Sequence, residues 1–180
     1  LEDAQHINGK PRQVNALLNE GDELLVPMPD YPLWTAATSL SGGSPVHYRC
    51  DEDNGWLPDL DDLRRKVEKN PSIAGILIIN PNNPTGAVYP VAVLEQIVAL
   101  AREFGLFLVA DEIYIHMVFP GAETVHLSEV ATDVPAIVMR GISKELPWPG
   151  SRCGWIEVLN RSADPNFSTY VDSVVAAKRL

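Results

Sequence analysis

Short apolar runs alternate with amphipathic stretches along most of this chain, and that alternation restricts the folds open to it. The runs are DELLVPM (22–28), SPVHYRCD (44–51), AGILIIN (74–80), LFLVADEIY (106–114), AIVMRGIS (136–143) and CGWIEVL (153–159). AGILIIN is continuous and β-branched, which suits a strand covered on both faces. SPVHYRCD alternates and is rich in β-formers. Between the runs lie helical patterns. YPLWTAATSLSGG (31–43) reads as a helix stopped by Gly42 and Gly43. LPDLDDLRRKVEKN (57–70) has Asp59 as an N-cap and Leu60, Leu63 and Val67 on one face. YPVAVLEQIVALAREFG (89–105) is amphipathic and ends at Gly105. PNFSTYVDSVVAAKRL (165–180) closes the chain as a helix. Strands taking turns with helices predict an α/β fold, a three-layer α/β/α arrangement around a mainly parallel mixed sheet with right-handed crossovers.

With 180 residues the chain is long enough for one domain with a sizeable core. Residues 1–18 are less regular and read as a lead-in, either disordered or a degenerate phosphate-loop region; residues 19–180 carry the domain. The formal net charge of -10 argues against nucleic acid or an anionic membrane as partner, because both need clustered Lys and Arg. No stretch approaches the roughly 18 apolar residues of a membrane span. The opening LEDAQHINGK is polar and does not read as a signal peptide. Cys50 and Cys153 show no CxxC spacing and read as reduced thiols of a cytoplasmic protein. The glycosylation patterns at Asn160 and Asn166 are set aside, since nothing suggests export. A start at Leu1 without Met and a stop inside a helical pattern lead us to expect a piece of a longer protein.

In open α/β sheets ligands sit at the carboxyl ends of the strands, so what each strand delivers there decides the chemistry. The AGILIIN strand delivers Asn82, Asn83, Pro84, Thr85 and Gly86. LFLVA delivers Asp111 and then Tyr114, and AIVMR delivers Ser143 and Lys144, with Arg152 eight residues on. An amide, a carboxylate, a phenol, an amine and a guanidinium thus reach one sheet edge. Each has a plainer reading. The Asn83–Gly86 segment is either a turn or a ligand loop. Asp111 is either a cap or a charge partner, and Lys144 either a solvated amine or a nucleophile. Arg152 could pair with Glu145 or Glu157, and Tyr31 and Tyr114 could be core aromatics. The four His residues lack metal-ligand spacing, and there is no GxGxxG or GxxxxGKS phosphate pattern.

Order and spacing change those odds. NNPTG, then ADEIY, then ISK, then Arg152 and GW resembles the pyridoxal-phosphate aminotransferases of fold type I, class I/II, from about Asn19 to Leu180. LLVPMPDYPLWTAATSLSGG through CDED resembles the alanine–glutamate branch. The resemblance implies pyridoxal 5'-phosphate as cofactor, no metal, and a homodimer. It implies Lys144 as the amine that meets the cofactor's aldehyde, tuned by a desolvated, cation-rich site. It implies Asp111 as the buried carboxylate that keeps the ring nitrogen protonated. Asn83 and Tyr114 would address the phenolic oxygen, Tyr31 would stack on the ring, and Arg152 and Ser143 would contact the cofactor, Arg152 at its phosphate. Lys144, Asp111 and Tyr114 are the catalytic candidates. Pro84 and Gly86 would hold the loop rigid where the backbone passes close to the ligand.

The sequence departs from that pattern in places. The family's helix-capped phosphate loop should fall in HINGKPRQVNALLNEGDE (6–23), where only Asn8-Gly9 suggests a remnant and Lys10-Pro11-Arg12 is not the usual helix start. Gly141 stands where Ser is common, and KELPWPGSRCGW (144–155) differs from the more frequent KTYRVAGFRxGW while keeping Lys144, Gly150, Arg152, Gly154 and Trp155. The resemblance implies that the family's small domain, built from both ends of the full chain, and its carboxylate-binding arginine are to be expected outside this sequence. Three functions stay open on the residues: an aminotransferase acting on an L-amino acid and a 2-oxo acid (alanine and 2-oxoglutarate on the branch resemblance), a C–S lyase or decarboxylase on the same scaffold, and a folded but inactive truncated fragment.

Overall fold

A computed structural model of the chain describes residue 18 and residues 20–178. Lys10-Pro11-Arg12, Asn8-Gly9 and nearly all of the lead-in therefore lie outside the described residues. Strands β1 (Glu23–Met28), β2 (Ser44–Asp51), β3 (Leu57–Pro58), β4 (Ile73–Ile79), β5 (Phe107–Asp111), β6 (Ala136–Gly141) and β7 (Gly154–Leu159) form one sheet in the order β3-β2-β1-β4-β5-β6-β7. The neighbours from β2 to β6 are parallel, and β3 and β7 pair antiparallel at the two edges. The expected mainly parallel mixed sheet is thus what forms.

The helices are α1 (Leu33–Leu40), α2 (Leu60–Lys69), α3 (Val91–Phe104), α4 (Leu127–Val130), α5 (Ile142–Glu145) and α6 (Pro165–Lys178). Alternation along the strands sorts their side chains onto two faces. Ile76 and Ile78 of β4, Leu108 and Ala110 of β5 and Val138 of β6 join a core with Leu63 and Val67 of α2 and Leu94, Ile97 and Val98 of α3. Leu77, Ile79, Val109, Ile137 and Met139 join a second core with Trp34 of α1 and Phe167, Tyr170 and Val171 of α6. A continuous apolar run in β4 is the necessary result, because both of its faces are covered. Among the described residues no helix is long and apolar enough to cross a membrane.

Local chemistry sets the helix ends. Asp59 accepts from the Asp62 backbone N–H at 2.9 Å, the side-chain cap that starts α2. Asp61 and Asp62 occupy its first turn and Lys66 and Lys69 its last, each sign matching the helix dipole. Gly105, in left-handed backbone at φ 66°, ends α3.

Asp62, in the first turn of α2, ties the helix to the sheet. It is buried, accepts from the Arg49 backbone N–H of β2 at 2.9 Å, and is ion-paired with Arg65 and Lys66. Burial pushes its carboxyl up, but Lys66, the Arg49 amide and Arg65 together bring it below its ordinary value of 3.8. Its stabilising contribution is therefore complete above pH 3.8 and is lost as pH falls through the lowered native value. Asp62→Asn is expected to cost about 2 kcal/mol at neutral pH. Urea unfolding of the two proteins should converge as pH falls below the carboxylate range; a constant gap would contradict this.

Candidate active site

The parallel register brings the ends of β4, β5 and β6 level. Ile79 lies beside Asp111, and Asp111 beside Met139. The Asn80 N–H donates to the Asp111 carbonyl at 3.1 Å and the Glu112 N–H to the Met139 carbonyl at 3.0 Å, so the ladder continues just past the strand ends. The three segments that leave these strands therefore emerge along one edge.

After β4 the chain folds into a compact turn. Asn82 Oδ1 accepts from the Thr85 N–H at 3.2 Å and the Thr85 hydroxyl at 2.8 Å. The Gly86 N–H donates to the Asn82 carbonyl and the Asn82 N–H to the Ala87 carbonyl, both at 2.8 Å. Gly86 sits at φ 75°, and a Cβ there would meet nothing within 4 Å. Its glycine is thus required by the backbone angle rather than by space. Asn80 is buried and accepts from the Tyr89 N–H at 2.8 Å, tying the far end of the loop back to the sheet. Asn82 is held inside this turn, which leaves the half-buried Asn83 facing outward.

Asn83 and Tyr114 line one cavity of about 300 Å³, whose other wall includes Met117, Val118 and Phe119. Lys144, in α5, carries its ammonium 5.6 Å from the centre of the Tyr114 ring. Lys144 is exposed in this chain rather than enclosed as the resemblance implies. Beside it the Ser143 hydroxyl is buried and, among the described residues, lacks a hydrogen-bond partner, an orphan that a ligand oxygen would satisfy.

Asp111 is 2% exposed. Its Oδ2 accepts from the indole Nε1–H of Trp34 at 3.1 Å, and its Oδ1 accepts from the Ile113 N–H at 3.3 Å. The sequence reading missed Trp34, because 77 positions separate the two residues. Tyr31 stands just before α1, where its carbonyl accepts from the Trp34 N–H at 3.0 Å. That turn is pinned by Thr35, whose hydroxyl donates to Asp30 Oδ2 at 2.7 Å and lies 3.0 Å from His47 Nε2 on β2. A hydroxyl has one proton, so His47 presents its Nε2–H to Thr35 and acts as scaffold.

Arg152 closes the turn Pro149–Ser151 at φ 53°, and its guanidinium donates to the Pro149 carbonyl at 3.0 Å. Glu157 pairs with Arg140, at 3.3 Å, and Glu145 lies 3.8 Å from His116. Arg152 is exposed, on the connection that also carries Lys144. Both ends of this connection meet where Gly141 pairs with Gly154. A Cβ on Gly141 would come within 3.0 Å of the Cys153 carbonyl oxygen and 3.2 Å of Ile113 Cδ1, so the serine common in the resembled family would crowd this neck.

A second unforeseen set lies on the opposite face. Glu112 is 3% exposed and accepts from the Leu127 N–H at 2.7 Å and Arg140 Nε at 3.1 Å, with His126 Nδ1 at 2.9 Å. Asp111 points to the core of α1, and Glu112 to the core of α4. The two adjacent carboxylates therefore have separate tasks. Among the described residues there is no group of three or more His, Cys, Asp or Glu placed to hold a metal.

The family described as aminotransferase class I and II matches residues 13–178. The glutamate-pyruvate aminotransferase AlaA of Haemophilus influenzae is 52% identical over 169 residues, 93% of this chain and 41% of that protein. The alanine aminotransferase of Mycobacterium tuberculosis is 48% identical over 145 residues, 81% of this chain and 33% of that one. An alanine aminotransferase from Pyrococcus furiosus superposes with a TM-score of 0.87 at 37% identity, covering 97% of this chain and 43% of its own. This chain spans about two fifths of the length of its similar relatives.

Glu112→Ala should destabilise the fold by about 3–5 kcal/mol, because it strands the largely buried Arg140 guanidinium. Urea unfolding tests this, and a loss under about 1 kcal/mol would show that Glu157 alone satisfies Arg140.

Proposed function

The chain belongs to the class I and II aminotransferases, and from that premise we propose that it is the cofactor-binding part of an enzyme moving an amino group between an L-amino acid and a 2-oxo acid. Pyridoxal 5'-phosphate is the proposed cofactor. The observation that carries this reading is the pairing of the buried Asp111 carboxylate with the Lys144–Tyr114 contact at one sheet edge. Identities near 50% to a glutamate-pyruvate and an alanine aminotransferase favour alanine and glutamate with their oxo acids as substrates.

The residues present fit the cofactor. An acceptor-only carboxylate, a primary amine, an amide, two phenols, a guanidinium and an orphaned hydroxyl match the chemistry of its ring, aldehyde, phenolic oxygen and phosphate. Bound pyridoxal phosphate supplies a carbonyl for amines and a protonated ring that withdraws electrons from the substrate's α-carbon. Asp111 would hold the proton on the ring nitrogen. Lys144 would bind the cofactor covalently and, once displaced by substrate, carry a proton to and from it. Asn83 and Tyr114 would donate to the phenolic oxygen and so tune the basicity of the adjoining nitrogen. Tyr31 would cover one ring face, and Arg152 and Ser143 would receive the phosphate. The full enzyme is proposed to be a cytoplasmic homodimer. The exposed Phe119, Leu146 and Trp148 support cover by further polypeptide on this side.

Adding pyridoxal phosphate to the chain, reducing with borohydride and mapping peptides tests the assignment. A visible absorbance band with the label on Lys144 is expected, and both should vanish in Lys144→Ala. A folded chain with no band, or a band that persists in that variant, would overturn the reading. In the full-length enzyme Asp111→Ala should cost at least about 100-fold in turnover and Tyr114→Phe about tenfold. Equal losses would remove Asp111 from its proposed role. Pyruvate and ammonia released without an oxo-acid acceptor would point to lyase chemistry instead.

A further inference from the structure

Trp34 is wholly buried, yet its indole N–H is directed at a carboxylate, donating to Asp111 Oδ2 at 3.1 Å. An indole can only donate and does not titrate. The indole end of this contact therefore does not change with pH. The same residue is rigidly mounted. Its backbone N–H donates to the Tyr31 carbonyl at 3.0 Å, and its own carbonyl accepts from the Thr38 hydroxyl at 2.9 Å. The next residue, Thr35, is fastened to Asp30. One stretch of chain thus sets both the turn bearing Tyr31 and the direction of Asp111.

We propose that Trp34 is a positioning residue for the cofactor's ring nitrogen: its indole N–H orients Asp111 and couples it to the turn that carries Tyr31. This rests on the reading of Asp111 as the ring-nitrogen partner. The effect is specific to a ligand that has that nitrogen, and this separates positioning from mere packing.

The test compares two probes, pyridoxal phosphate and its deaza analogue, in which carbon replaces the ring nitrogen. Dissociation constants are measured by absorbance for the wild type and for Trp34→Phe, which keeps an aromatic ring and removes the donor. Trp34→Phe should weaken pyridoxal phosphate about tenfold, the order of one hydrogen bond to a charged group, and leave the analogue within about twofold. Equal weakening of both probes, or of neither, would overturn the proposal. A second measurement needs no variant. In 15N-labelled wild type, the Trp34 indole resonance should move on adding pyridoxal phosphate and move much less with the analogue; a resonance indifferent to both would also overturn it. A wild type that takes no borohydride label on Lys144 would defeat the functional reading itself. A labelled wild type with an indifferent Trp34 would defeat this proposal alone.

Discussion

The parallel ladder from β2 to β6 is the constraint on which the rest of the structure depends. Parallel strands need a crossover each time, so every strand leaves its carboxyl end on one side and the chain must return behind the sheet. That requirement calls for helices on both faces, which in turn makes the central strands apolar throughout. It also gathers the segments after β4, β5 and β6 along a single edge. Burial of two cores thus fixes where Asn83, Asp111 and Lys144 emerge, although none of the three contributes much to the cores.

Residue alternation at the end of β5 shows how finely this works. Asp111 and Glu112 are neighbours in sequence and both buried, but they face different cores. Glu112 is saturated by Arg140, His126 and the Leu127 amide, which anchors the segment leading away from the strand. Asp111 accepts from the Trp34 indole and the Ile113 amide on the other face. Two identical charges placed on one face would repel each other; the pleat separates them at no cost in sequence length.

Much of this is legible in the sequence because it is local. The period of the apolar residues shows the long helices and the six longer strands. Asp59 announces the start of α2, and the spacing of Asn83, Asp111, Tyr114 and Lys144 announces the residues proposed for the site. The features that escape are non-local or too short to show a period. Trp34 meets Asp111 only because α1 packs on the sheet face below β5, and Glu112 meets Arg140 only because β5 and β6 pair. The two residues of β3 and the four-residue helices α4 and α5 span too few positions for any periodicity. The direction of β7 is also hidden. An apolar run reads the same both ways, and only the short connection from Gly141 to Gly154 makes it antiparallel.

That connection has a further consequence. Its two ends are clasped at Gly141 and Gly154, where an added Cβ at position 141 would crowd the Cys153 carbonyl and the Gly154 Cα. The segment between them behaves as a purse with a drawn string. Its contents, Lys144 to Arg152, take no part in the ladder between β6 and β7, whereas the string is the last pair of that ladder. The stretch from Glu145 to Pro149, where KELPWPGSRCGW differs from the commoner pattern, lies inside the purse, and the Gly141 departure lies on its string.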